Sequence, residues 1–478
     1  RTGYRPLILL VALGLLMISS LRAQLISLKT IPVAAGDQFL LFPSQNLGIG
    51  GVSISLSDSL ADPWVNPAYG NKIKGRHVFI APVYYRIANG MGSARSMPFS
   101  VQWSQGVWFA GGGLAIQTLN TDENPTFWQP GARTLSGNSA ENKYFAGFLG
   151  KRLTGLNSSI ALGVYWADLS ALGGVDLLYN NSQKIVQDGD ISDIRIGFVR
   201  ESQQGVSQEI LFIRNEVDLL HEVSYRRGWG EEQIEQNLDH TVTLGLHLGI
   251  QVPLNNDEWK YGGLFTVNHK SHPKIPNYEI MNIPRDPGNT MAYNLGVGLS
   301  KRAALTTFGV DIIYEPIWSN TWAEADTFMV NLEDQLIRPG DKTIENDFKF
   351  SNWIMRTGLG WKKDHQTFQL GLQMRTIQYT LDQQDYLAVT QRQQQEYWSE
   401  WTTTWGVTFE YPEYTIRYSG RTTTGTGRPG VDTQWIWFGG ALEASVGGDY
   451  IIAPSDDLTL EAARVITHQI SIAVPIGK

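Results

Sequence analysis

Few residues in this chain stand at spacings that support chemistry. His269 and His272 lie three apart, with Lys270, Pro273 and Lys274 around them. Two imidazoles at that spacing can share a metal ion, but no acidic or cysteine partner follows at ligand spacing, and no metal site is assigned. Thr424 to Gly430 reads TGTGRPG. It is glycine-rich but lacks the Gly-Lys-Ser/Thr ending of a phosphate loop, so it reads as a loop tip. Serine, histidine and aspartate occur without a Gly-x-Ser-x-Gly elbow. With 0 cysteines there is no thiolate ligand, thiol nucleophile or disulfide. No catalytic residue and no cofactor follow from these patterns.

Charge and hydropathy narrow the class. The 478 residues carry 38 Lys and Arg against 46 Asp and Glu, a net charge of -8. No basic block appears, so a nucleic-acid partner is not expected. Mean hydropathy is -0.19. A bundle of apolar helices, each about 20 residues long, would score far higher. The 49 Gly, 16 Trp, 19 Tyr and 18 Phe, with only 18% charged residues, suit a barrel wall with interfacial aromatics.

The elements that must position any site are strands. Arg1 and Arg5 precede an apolar run from Pro6 to Ile18, and Leu21-Arg22-Ala23 follows, which reads as a cleaved leader over residues 1–23. From about His77 the period is two. Tyr293, Leu295, Val297 and Leu299 oppose Asn294, Gly296, Gly298 and Ser300. Val242 to Ile250, Phe368 to Met374 and Trp405 to Tyr411 alternate in the same way, and Phe308 to Tyr314 does so with Ile313 as the exception. The polar faces are rich in small residues. Strands apolar on one face must close on themselves in lipid, because every backbone group needs a partner there. Connections alternate between short, such as Ser104-Gln105-Gly106, and long, such as Asn120 to Asn142. The expected fold is an all-β, antiparallel outer-membrane β-barrel of about 14 strands over residues 77–478, with Asp190 to Arg227 not divisible by pattern. Trp259, Tyr261, Trp353, Trp361, Trp398, Trp401, Trp405, Trp435 and Trp437 are expected in interfacial belts.

One stretch does not fit the wall. Leu47 to Gly70 reads LGIGGVSISLSDSLADPWVNPAYG. Asn66-Pro67-Ala68 is similar to the water-channel signature, but that family needs two copies on half-helices. Gly48, Gly50 and Gly51, the turn at Asp58 and Ala61, and Asn66-Pro67-Ala68 together resemble the lead-in of fatty-acid-transporter-like (FadL-like) outer-membrane barrels. The match is closer to the branch that includes the PorV and PorQ proteins of type IX secretion. Tyr69-Gly70 adds a likeness to the PorP/SprF group. The pattern departs where Trp64-Val65 separates the acidic turn from Asn66, and where Tyr69-Gly70 replaces Gly-Leu. The resemblance implies a 14-stranded barrel whose N-terminal segment enters the lumen as a hatch.

Residues 24–76 are therefore expected as a periplasmic or lumen-plugging segment. Its candidate hatch residues are Gly48, Gly50, Gly51, Asp58, Asn66, Pro67 and Ala68. Trp322 to Leu336 and Leu381 to Trp398 read as short surface helices, ordered caps or solvated loops. Trp322, Phe328, Tyr386 and Tyr397 are their candidate partner contacts. The expected function is a non-enzymatic barrel in the outer membrane of a Gram-negative bacterium. It passes a hydrophobic small molecule or serves type IX export, with membrane lipid around it. The second reading is an anchor or shuttle for a secreted surface protein, and the third a barrel hydrolase.

Overall fold

The computed structural model describes residues 25–120, 139–173, 184–227, 231–254, 258–272, 288–325, 327–430, 453–454 and 457–477. The expected leader over residues 1–23, together with Trp435 and Trp437, lies outside these residues.

The wall begins with β1 (Arg76–Ile80), β2 (Val83–Ile87), β3 (Ser93–Gln105), β4 (Trp108–Asn120), β5 (Ser139–Leu153) and β6 (Ser158–Leu169). It continues through β7 (Lys184–Glu201), β8 (Ser207–Arg227), β9 (Glu231–Leu254), β10 (Trp259–His272), β11 (Gly288–Arg302) and β12 (Thr306–Glu324). It ends with β15 (Lys342–Lys363), β16 (Gln366–Asp385), β17 (Thr390–Glu410), β18 (Thr415–Gly430) and β19 (Thr459–Ile476). Between β12 and β15 stands a two-stranded hairpin, β13 (Met329–Val330) and β14 (Leu336–Ile337).

Every neighbouring pair is antiparallel, and β19 returns to pair with β1 and β2, so the sheet is closed. Both β1 and β2 lie between β19 and β3. They are halves of one strand broken at Ala81-Pro82, where proline has no N–H to give to the ladder. The 17 strands of the sheet thus make a barrel of sixteen, not about 14. The count also departs from the fourteen that the FadL-like resemblance implies. The undivided stretch is two long strands, β7 and β8, joined by a turn whose Ser202 amide bonds the Val206 carbonyl. Asp190, Arg214, Glu216 and Asp218 occupy their outward positions, so the outer face stops being apolar and the alternation fades.

Elsewhere the alternation holds. Along β11, Leu295, Val297 and Leu299 point outward and are exposed, while Asn294 and Ser300 are buried inside. A wall apolar toward lipid and polar toward its lumen, with no open edge, is an outer-membrane barrel. Tight turns such as Gln105–Trp108 and Lys363–Gln366 gather at one end. There Lys151 and Lys301 each sit 5.3 Å from the ring centre of Trp108 and Trp259, a pairing suited to the lipid interface. Trp398 is not in a belt. It packs inward on Tyr379, beside Phe348 and Phe350.

Two further expectations change. Leu381 to Trp398 contains no helix; β16 and β17 run on as a long hairpin turning at 386–389. Trp322 to Leu336 is the end of β12 followed by the small hairpin. His269 belongs to β10.

Candidate functional site

Residues 25–75 lie against the inward faces of the strands in two tiers. The upper tier is extended. The Ile26 amide donates to Asn268 Oδ1 at 2.7 Å, and Arg375 binds Ser27 through both its hydroxyl and its carbonyl at 3.0 Å. Lys29 pairs with Glu400 at 3.2 Å. The Tyr379 hydroxyl donates to the Thr30 carbonyl at 2.8 Å. Val33 bridges Gly427, and Asp37 meets Arg421 and Thr467. Arg375 is itself held by Glu315 at 2.8 Å. A buried guanidinium is tolerable only with such partners.

The lower tier is a floor, and the glycines of the wall explain its path. A Cβ on Gly406 of β17 would lie 3.3 Å from Gly48 Cα. On Gly371 of β16 it would lie 2.1 Å from the Gly50 nitrogen, and on Gly358 of β15 2.6 Å from Ile49 backbone. On Gly309 of β12 it would meet Val52 at 2.6 Å, and on Gly298 of β11 and Gly262 of β10 it would meet Ile54 at 2.6 and 2.5 Å. Residues 48–54 thus cross six strands in order along inward positions that carry no side chain. Ile313, the exception in its strand's alternation, is buried against Ile54.

Polar groups fix this path. The Gly50 amide donates to Thr404 Oγ1 at 2.9 Å, and that hydroxyl donates to the Gly48 carbonyl at 3.1 Å. Asp311 Oδ2 accepts from the Ser53 and Ile54 amides at 2.7 and 3.2 Å. Gly50 and Gly51 have φ of 76° and 70°, a left-handed conformation that costs other residues energy. Asp58 accepts from the Gln45 amide at 2.7 Å and the Leu60 amide at 3.1 Å, and it faces Arg417 at 3.6 Å.

The Asn-Pro-Ala stretch packs against the opposite wall, on β6, β7 and β8. Asn66 Oδ1 accepts from the Ala68 amide at 3.1 Å and caps a 3-10 turn, Pro67–Lys72, with Pro67 at its first position. Asn66 Nδ2 donates to Glu209 Oε2 of β8 at 2.6 Å. Glu209 also lies 3.5 Å from His247 Nε2, and both side chains are fully buried. Gly197 of β7 leaves room for Asn66, since a Cβ there would stand 2.1 Å from Asn66 Oδ1. Pro67 rests on Gly163 of β6, and the Ala68 carbonyl accepts from Ser159 at 2.9 Å.

Between the tiers and the wall of β5 to β8 lies a cavity of ≈ 380 Å³. Phe39, Phe42, Trp64, Phe148, Tyr165 and Ile191 line much of it. Trp64 stacks on Phe42 at 4.1 Å and meets Phe148 edge-on at 5.1 Å. One side is polar. Arg195 binds both oxygens of Asp193, at 2.6 and 3.0 Å, and the Val65 carbonyl at 3.0 Å, with Asn215 alongside. The size falls within the roughly 300–1,000 Å³ of small-molecule sites, and an apolar lining with few polar groups is their usual character. Sequence reading missed Asp193, Arg195, Glu209 and Tyr165. Only inward parity could have flagged them, and for three of the four the strands were not divided.

The outer residues are apart from this cavity. Trp322 is outward on β12, with Lys342 over its ring at 4.8 Å. Phe328, Val330, Leu332 and Leu336 are 68%, 57%, 81% and 58% exposed on the small hairpin. The Leu332 amide joins this hairpin to the 386–389 turn through the Leu387 carbonyl at 2.9 Å. In that turn Tyr386 donates to Glu345 at 3.0 Å. Tyr397 is on β17, facing out, not in a loop. Glu216, Asp218 and His240 bring three ligand-type atoms within 4.8 Å of one another on the outer face. Glu216 pairs with Arg214 at 2.7 Å, and His240 with Asp218.

No known family model matches the chain, and no curated protein does. Among solved structures it is similar to a FadL homologue of Pseudomonas aeruginosa. That match has 11% identity and a TM-score of 0.44, over 93% of this chain and 100% of that one. The copper transporter OprC matches at 9% identity and a TM-score of 0.35, over 84% of this chain and 81% of that one. The ferric-catecholate import receptor Fiu of E. coli K12 matches at 8% identity and a TM-score of 0.37, with the same coverage of 84% and 81%.

Proposed function

We propose that this outer-membrane barrel, without catalysing a reaction, passes a hydrophobic small molecule, and that residues 24–76 are the plug that controls its passage. The cavity of ≈ 380 Å³ carries the proposal. A water-filled pore would need no aromatic chamber in its lumen, whereas a permeant that is costly to hydrate needs an apolar resting place. The chamber is walled by residues 39–42 and 63–67 on one side and by the barrel on the other. A shift of the segment would therefore open or close it. Uptake of a labelled long-chain compound by cells, lost on deletion of the protein and restored by the wild-type chain, tests transport. Unchanged uptake in the deletion strain rejects it. Deleting Gln24 to Asp62 should raise single-channel conductance; a folded barrel with unchanged conductance rejects the plug.

A second reading rests on a separate observation. Four large apolar side chains, Phe328, Val330, Leu332 and Leu336, are exposed on one outer hairpin, where a purely solvated loop would be polar. Here the barrel anchors or shuttles a secreted surface protein. The likeness of residues 48–68 to the PorV/PorQ lead-in makes type IX export the setting for that role. Crosslinking followed by pull-down separates the readings, since a stoichiometric protein partner without uptake supports the anchor.

A further inference from the structure

Four chain segments, 71–77, 104–108, 151–158 and 200–206, meet at the short-turn end of the barrel. The Ser104 amide donates to the Gly75 carbonyl, the Arg152 amide to Val107 and the Glu201 amide to Asn157, at 2.9, 2.7 and 2.9 Å. Together they carry Lys72, Lys74, Arg76, Lys151, Arg152 and Arg200 against a single acid, Glu201. Lys72 takes that acid at 2.9 Å. Arg152 bonds only neutral oxygens, those of Gly106, Asn71 and Ser104. A chain of net charge -8 thus has a cationic sector on its rim.

Three of these cations lie on the lipid-facing side. Arg76 of β1 is directly opposite Trp103, Lys151 of β5 opposite Trp108, and Arg200 of β7 opposite Ser158. All three are exposed, and none pairs with a carboxylate among the described residues. Toward the middle of the wall the outward positions turn apolar, with Phe99 and Val101 on β3, Leu149 on β5 and Ile196 on β7 exposed. The cations therefore stand where hydrocarbon gives way to headgroups. At the other end the sign is reversed, since Asp168, Asp190 and Asp218 occupy directly opposed outward positions on β6, β7 and β8.

By register the three cations are spaced about 10–15 Å apart around the rim, from strands ≈ 4.8 Å apart. One phosphate cannot span that distance, so each cation meets its own anion. A soluble acidic peptide would have to reach around the rim onto the lipid-facing side, whereas phospholipids are already there.

We propose that Arg76, Lys151 and Arg200 bind the phosphates of anionic phospholipids in the periplasmic leaflet, one headgroup to each cation. The Lys151 ammonium, 5.3 Å from the Trp108 ring centre, is held at the interface by that ring. This lipid ring is independent of what the lumen carries.

The test places the full chain in nanodiscs of equal phosphatidylglycerol and phosphatidylcholine and counts the lipids retained by native mass spectrometry. Phosphatidylglycerol should be retained about fivefold over phosphatidylcholine per site, in up to three copies, the scale of one basic residue at an anionic surface. The triple variant Arg76→Gln, Lys151→Gln, Arg200→Gln should lose that preference while keeping heat-modifiable gel mobility. Lys143→Gln, at the opposite end beside Asp168, should keep it. Equal retention of the two lipids by wild type, or an unchanged preference in the folded triple variant, overturns the proposal. If wild type shows no lipid preference and instead binds a soluble poly-glutamate peptide, the sector faces an acidic partner and the proposal is likewise overturned.

Discussion

Gly371 in the wall and Gly50 in the lumen segment are in mutual contact: a Cβ on the first would lie 2.1 Å from the nitrogen of the second. Gly50 in turn has no room for a Cβ, which would stand 2.6 Å from the Thr357 carbonyl, and it has a left-handed φ of 76°. Two backbones therefore touch with no side chain between them. Gly371→Leu should push the floor off the wall while β16 keeps its ladder, because the outward face is untouched. Conductance should rise and protease should cut within residues 45–56, with heat-modifiable gel mobility retained. Gly112→Leu is the control, since a Cβ there meets nothing within 4 Å. Equal behaviour of the two variants would show that the contact does not hold the floor.

Asn66 and Glu209 supply the matching latch on the other side. Their bond of 2.6 Å joins an amide donor to a buried carboxylate, the stronger kind of hydrogen bond. Asn66→Ala should cost about 1.5–3 kcal/mol, because it strands a charge as well as removing a bond. Asn66→Asp should be worse, as it sets two carboxylates together. Glu209→Gln should be mild, since a neutral acceptor stays in place. Denaturant midpoints in detergent should fall from Glu209→Gln through Asn66→Ala to Asn66→Asp, and an Asn66→Asp variant as stable as wild type would deny the latch.

The alternation at Tyr293 to Ser300 made the wall legible, because lipid on one side forces period two. The small residues on the polar faces were visible too, but not their meaning. Gly358, Gly371 and Gly406 look like generic lumen positions until residues 48–50, some 310 to 360 positions earlier, are laid against them. Ile313 looked like an error in the pattern for the same reason. The strand count failed where Glu216 and Asp218 replace apolar residues on the outer face, since the physical cause of the pattern ends there. The Asn66 turn was legible because it is local. Its bond to Glu209, 143 residues away, was not.

The outer hairpin offers an independent test of the anchor reading. Leu332 is 81% exposed and Phe328 68%, and neither supports the barrel. The double variant Phe328→Ser, Leu332→Ser should leave folding within about 0.5 kcal/mol of wild type, as exposed positions do. It should also lower crosslinked recovery of a surface protein several fold. Undiminished recovery removes this hairpin from the docking surface.

Ala146 tests the cavity without touching its polar groups. It is an inward residue of β5, lines the chamber and is 7% exposed. Ala146→Trp would place an indole in the space beside Phe148. The chamber is ≈ 380 Å³, so a ring can enter it without the strain of overpacking a filled core, which costs about 1–3 kcal/mol. The barrel should therefore fold, and the contacts of Asn66 and Gly50 with the wall should survive. Uptake of a labelled long-chain compound should fall at least about tenfold, as expected when a pocket loses more than about 1.4 kcal/mol of binding. Ala146→Ser, which leaves the space open, should transport normally. If the Trp variant takes up substrate at the wild-type rate, the permeant passes by a route that does not include this chamber.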